Sequence, residues 1–143
     1  MKSVWITGGT RGIGRAAAEL FCREGYRVTV SYRSNREQAE QFRDTHPGIL
    51  TLEGDVADAR SVTVMREQIG HVDILVNNAG IASQKLFETI TEQEWDNMFA
   101  VHVKGSLFCT QAVLPGMLRQ QRGAIVNVAS IWGLTGASCE VHY

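Results

Sequence analysis

At 143 residues the chain has room for one domain and not two, and its 44% hydrophobic and 20% charged residues are the composition of a globular protein with a core. A formal net charge of −1 offers nothing to attract nucleic acid or an anionic membrane surface. No apolar run approaches bilayer-spanning length, and the short stretch Val4, Trp5 and Ile6 does not make a signal peptide. A cytoplasmic location is therefore expected. It agrees with Cys22, Cys109 and Cys139, an odd set without paired spacing that reads as free thiols. Cys139 and His142 form a lone C-x-x-H, and two ligands do not make a zinc site.

In chain order, "SVWIT" (3–7) reads as a buried strand, followed by Gly8, Gly9, Gly12 and Gly14. An amphipathic helix is predicted from about Ile13 to Arg23, ending at Gly25. "RVTVSY" (27–32) is a second strand, and a polar helix with Asn35 at its start spans 35–45. The turn His46-Pro47-Gly48 leads to a third strand over 49–56, and Asp58 caps a helix over 58–70. "VDILVNNAG" (72–80) is a fourth strand that runs into a polar, glycine-ended turn. A long helix begins at Thr91, with Glu94 completing a capping box and Pro115 expected to kink or break it near its end. "GAIVNVAS" (123–130) is the fifth strand, and an apolar loop follows over 131–137. Five alternations of strand and helix with short links predict an α/β domain over residues 1–143, with a parallel sheet and helices on both faces.

The turn "TGGTRGIG" (7–14) lies after a buried strand and opens a helix, which is where a pyrophosphate site belongs. Close approach of backbone to phosphate excludes side chains, so glycine fits there, although such a turn also occurs for packing alone. A dinucleotide site that prefers NAD carries an acidic residue at the end of its second strand. Here that place reads Tyr32-Arg33-Ser34. Arg33, with Arg11 in the turn, suits a 2′-phosphate, so NADP(H) is the expected cofactor; the alternative is two surface arginines without a partner.

Together these residues resemble the short-chain dehydrogenase/reductase family. "TGGTRGIG" is similar to the family's T-G-x-x-x-G-x-G turn, "GDV" (54–56) to its adenine-contacting strand end, and "NNAG" (77–80) to its motif closing the fourth strand. Ser130 stands where the family has its catalytic serine, and Tyr143 falls thirteen residues later, at the family's spacing to the tyrosine of Y-x-x-x-K. Within the family the chain is most similar to the 3-oxoacyl-acyl-carrier-protein reductases of fatty acid biosynthesis. The resemblance implies a Rossmann-type doubly wound fold with strand order 3-2-1-4-5. It implies cofactor contacts from Gly8, Thr10, Arg11, Gly12, Ile13, Gly14, Arg33, Asp55, Val56, Asn78, Ala79 and Gly80. The implied reaction is NADPH-dependent reduction of a 3-oxoacyl-thioester-like carbonyl, with Ser130 polarising the carbonyl and Tyr143 donating the proton.

His102 departs from the pattern, because the family usually has asparagine there. It reads either as a catalytic group or as a core histidine bonded locally. Trp132 and Leu134 read equally as an apolar wall for an acyl substrate or as loop packing, and Asp73 and Asn77 as structural residues at the two ends of the fourth strand.

The lysine four positions after Tyr143 and the family's last two strands lie outside these residues. The expectation is thus the N-terminal part of a longer reductase, a homotetramer when whole, and a 143-residue piece inactive by itself. The alternative is a non-catalytic NADP(H)-binding module, whose weakness is that the fifth strand would leave an apolar open edge.

Overall fold

In a computed structural model covering residues 1–143, β1 (Ser3–Thr7) is buried along its whole length because it is the central strand of the sheet. Its side chains alternate between two cores, as the two-residue period of a strand requires. Val4 and Ile6 face one layer, with Ala18, Val28, Val30, Phe42 and Val76. Trp5 faces the other, with Val62, Met65, Leu75, Cys109 and Val113. The indole N–H of Trp5 donates to Ser31 Oγ at 3.1 Å, so the buried ring leaves no polar group unpaired.

The remaining elements follow in order: α1 (Gly12–Arg23), β2 (Arg27–Tyr32), α2 (Arg36–Thr45), β3 (Leu50–Glu53), α3 (Ala59–Ile69) and β4 (Ile74–Asn77). After a 3₁₀ turn (Phe87–Thr89) come α4 (Glu92–Phe99), a π-helical turn (Ala100–Lys104), α5 (Gly105–Gln120), β5 (Ala124–Asn127) and the one-turn α6 (Trp132–Thr135). The five strands are parallel in the order β3-β2-β1-β4-β5, as expected. Helices α1 and α2 pack on the Val4 and Ile6 face, α3 and α5 on the Trp5 face. No helix is long and apolar enough to cross a membrane.

Some expectations change. Strand β3 closes at Glu53 rather than at 56, because the Asp55 N–H turns to Ser61 Oγ (2.8 Å) and the Ala57 N–H to Asp55 Oδ1 (2.9 Å). Strand β4 closes at Asn77, as expected, because the next two N–H groups go to a side chain on β1 and not to the ladder.

Pro115 does not break the helix. Helix α5 runs through it to Gln120, and the Arg66 Nε–H donates to the Ala112 carbonyl at 3.2 Å, three residues before the proline. The irregularity lies upstream, in the π-helical turn over Ala100–Lys104. The segment 131–137 holds one helical turn, α6. At the edge of the sheet β5 is largely exposed, with Val126 49% accessible.

Candidate active site

The site forms at the carboxyl ends of the strands, around the turn from β1 to α1. Gly8 has φ +65°, and a Cβ there would approach the Ala79 Cα to 3.0 Å. A Cβ on Gly14 would lie 2.4 Å from the Gly8 carbonyl oxygen and 2.5 Å from Asn78 Nδ2. Glycine is thus required at both positions by close packing of the turn on the end of β4. The Asn78 carboxamide holds the turn open by donating to the carbonyls of Thr7 (3.0 Å) and Gly8 (3.1 Å).

Helices α2, α3 and α4 each have a side-chain cap, from Asn35, Asp58 and Thr91. Helix α1 has none: Arg11 sits at its N-cap in an extended conformation and no side chain accepts from the first turn. The first N–H groups of α1 are left for an anion, at the end where the helix dipole favours one.

A cleft of about 470 Å³ opens above this turn. It is lined by Gly8, Thr10, Arg11, Gly12, Ile13, Arg33, Asp55, Val56, Asn78, Ala79 and Gly80, all among the residues expected to contact a cofactor. Gly14 lies behind the cleft as a packing residue. Ser34, Asn35 and Gln38 also line it, and were not foreseen. Their signal was their place, just past the carboxyl end of the second strand. Ile81 and Val101 line it too, and nothing in their local sequence marks them.

Three arginines stand near the far end of the cleft in different states. Arg36 pairs with Glu53 at 3.5 Å, outside the cleft lining. Arg33 faces Asp55 across the ends of β2 and β3, with Nη1 3.9 Å from Oδ2. Arg11 is exposed and enters no ion pair.

At the other end, the π-helical turn carries His102 toward the loop after β4. His102 Nε2 lies 2.8 Å from the Ile81 carbonyl oxygen and 3.1 Å from the Ile81 nitrogen; one tautomer donates to the first, the other accepts from the second. The Tyr143 ring meets the imidazole edge to face, centroids 5.4 Å apart. The structure therefore brings two of the three expected catalytic residues into contact. Ser130 lies just beyond β5, half-buried, and its Oγ accepts from the Trp132 N–H at 3.2 Å. Trp132 and Leu134 point to solvent, Leu134 being 89% accessible. The Tyr143 loop is clipped to the loop after β4, with the Lys85 N–H donating to the Cys139 carbonyl at 2.7 Å and Gln84 to Glu140 at 3.1 Å.

Asp73 and Asn77 serve the sheet. The Asp73 carboxylate accepts from the Ser3 N–H (2.8 Å) and lies 3.1 Å from His71 and 3.2 Å from Arg122. Burial alone would push the Asp73 carboxyl up, but the hydrogen bonds from Ser3 and the nearby His71 ring outweigh it and hold it at about 2. Asn77 donates to Asn127 Oδ1 at 2.8 Å, joining the ends of β4 and β5. Burial pushes the Cys109 thiol up to about 12, which leaves it a packing residue without nucleophilic character.

A family model described as short chain dehydrogenase matches residues 2–143. The 3-oxoacyl-[acyl-carrier-protein] reductase FabG of Staphylococcus aureus (strain Mu50) is 38% identical over 150 aligned positions, covering 99% of this chain and 61% of the relative. The acetoacetyl-CoA reductase of Paracoccus denitrificans is 35% identical over 136 positions, covering 92% of this chain and 56% of the relative. A crystal structure of a short-chain dehydrogenase from Streptomyces avermitilis superposes with a TM-score of 0.92 at 32% identity, covering 99% of this chain and 54% of the other. The chain thus spans about three-fifths or less of the length of these relatives. With the family's glycine turn and its strand order in place, the chain belongs to the short-chain dehydrogenase family.

Proposed function

We propose that these residues form the cofactor half of an NADP(H)-dependent oxidoreductase that reduces the carbonyl of a 3-oxoacyl thioester presented on an acyl carrier. The observation that carries this reading is the uncapped first turn of α1, set beneath Gly8 and Gly12 and open to a cleft that Arg11 and Arg33 both line. A dinucleotide fits that donor set. Its pyrophosphate would meet the free N–H groups of α1, its adenine Asp55 and Val56, and its 2′-phosphate Arg11 and Arg33. Gly8, Thr10, Ile13, Asn78, Ala79 and Gly80 would line its path toward His102 and Tyr143.

When bound, the reduced nicotinamide supplies hydride to the carbonyl carbon. As negative charge gathers on the carbonyl oxygen, the Ser130 hydroxyl donates a hydrogen bond to it and the Tyr143 phenol gives it a proton. A phenol titrates near 10, so matching it to neutral pH takes roughly 4 kcal/mol of preferential stabilisation of the phenolate. A lysine four residues past the tyrosine does this in the family, and the 143 residues do not contain it. By themselves they are proposed to bind cofactor without turnover. For the whole protein the proposal is a soluble cytoplasmic homotetramer. His102 is proposed to hold the loop at Ile81 and the Tyr143 ring in place.

The test is a fluorescence titration of the chain with NADPH and with NADH. NADPH is expected to bind about tenfold more tightly, roughly 1.4 kcal/mol. Arg11→Ala together with Arg33→Ala should erase the difference. Equal affinities in the unaltered chain would overturn the cofactor assignment.

A further inference from the structure

Arg33 and Asp55 lie on the same cleft wall, at the ends of two neighbouring parallel strands. Their pairing is asymmetric. The Asp55 carboxylate is anchored: Oδ1 accepts from the Ala57 N–H at 2.9 Å, and the Asp55 N–H donates to Ser61 Oγ at 2.8 Å. Only Oδ2 is turned toward Arg33. The guanidinium is held by charge alone, since 3.9 Å is too long for a hydrogen bond, and the Arg33 side chain is 51% accessible. Arg36, one turn on, is committed elsewhere, to Glu53 at 3.5 Å. Arg33, just past β2, is therefore the cation that can move, and Asp55 is the fixed anion it must leave.

We propose that Asp55 is a specificity-setting residue that competes with the 2′-phosphate of the cofactor for Arg33. This rests on the NADP(H) reading above. A phosphate dianion arriving at Arg33 has to separate it from Asp55, and it then lies near a second negative charge. A ligand with a free 2′-hydroxyl makes no such demand and leaves the pair closed. Asp55 therefore narrows the preference for the phosphorylated cofactor below what Arg11 and Arg33 would give alone, and its charge sets how far. An adenine contact from the same carboxylate would act on both ligands equally, and is separable on that ground.

The experiment is calorimetric titration of the 143-residue chain with 2′,5′-ADP and with 5′-AMP, probes that differ only in the 2′-phosphate and need only the adenine end of the cleft. Asp55→Asn removes the charge and keeps an oxygen for the Ala57 N–H; Asp55→Ser serves the same purpose if that variant does not fold. The ratio of affinities, 2′,5′-ADP over 5′-AMP, is expected to rise about two- to five-fold, the range an exposed pair of charges can supply. In an Arg33→Ala background the same substitution should move the ratio less, because the competitor has lost its object. An unchanged ratio in Asp55→Asn would overturn the proposal, as would a parallel loss for both ligands. A ratio near one in the unaltered chain would overturn the NADP(H) reading instead, and is read off before any variant is made.

Discussion

The Thr7 hydroxyl, fully buried at the end of β1, accepts from the backbone N–H groups of both Asn78 and Ala79 at 3.0 Å. One side chain thus ties the end of β4 to the start of the glycine turn, and ends the β1·β4 ladder where the cleft begins. Thr7→Val keeps the shape and strands two half-buried donors, which is expected to cost about 2 kcal/mol. Thr7→Ser keeps the oxygen and loses only a methyl group, worth about 1 kcal/mol. Urea unfolding of the two variants checks the order, and a valine variant as stable as the serine variant would refute the role assigned to the hydroxyl.

Gly12 and Gly14 sit two residues apart and should respond differently. A Cβ on Gly12 meets nothing within 4 Å, and its only difficulty is φ +54°. Gly12→Ala should cost about 1–2 kcal/mol, the strain of a left-handed residue. A Cβ on Gly14 meets a carbonyl oxygen at 2.4 Å, and backbone cannot step aside as a flexible side chain does. Gly14→Ala is expected to lose more stability than Gly12→Ala and to abolish nucleotide binding. Thermal melts with and without NADPH decide it; equal behaviour would mean that the turn is looser than these distances imply.

His102 makes its polar contact with Ile81 through one nitrogen and packs its ring on Tyr143. His102→Ala should leave an Ile81 backbone group unpaired in a half-buried place, at about 1–2 kcal/mol. His102→Asn, which can still reach backbone, should recover most of that loss. If asparagine proves as damaging as alanine in chemical denaturation, the ring's packing on Tyr143 matters more than its hydrogen bond. Gly80→Ala offers a second handle, since its Cβ would fall 2.7 Å from His102 Cε1.

Acid should weaken the fold through Asp73. Its carboxyl lies at about 2 when folded, against an ordinary 3.8. The depressed value means that stability from this group is complete above the unfolded value and is lost as pH falls through the folded one, so the window runs from about 4 to 2. Glu94, also held at about 2, chiefly by Lys85 and then by Thr91, titrates over the same range. Unfolding free energies measured from pH 5 to 2 should therefore decline less steeply in Asp73→Asn than in the unaltered chain. Parallel curves would mean that Asp73 is already ordinary in the folded state.

Much of this molecule is written locally. The alternation of apolar runs with amphipathic segments, the Asn35, Asp58 and Thr91 caps and the glycines after "SVWIT" determine the element order, and with it a parallel α/β sheet. They do so because periodicity and capping act between residues a few positions apart. The floor of the cleft was legible too, since glycines between a buried strand and a helix mark a place where backbone packs closely.

Tertiary structure alone decided the rest. Strand β3 ends early, and β4 stops at Asn77, because the N–H groups just past them go to the side chains of Ser61 and Thr7, six and about seventy residues away. Pro115 leaves α5 intact, with Arg66 of a different helix bonded to a carbonyl on its approach. The Arg33–Asp55 pairing, the reach of His102 to Ile81 and its contact with Tyr143 join residues 21 to 41 positions apart. No local pattern encodes such distances: they arise only once parallel strands place their carboxyl ends side by side, and there the charges and rings that had been separate in the chain meet.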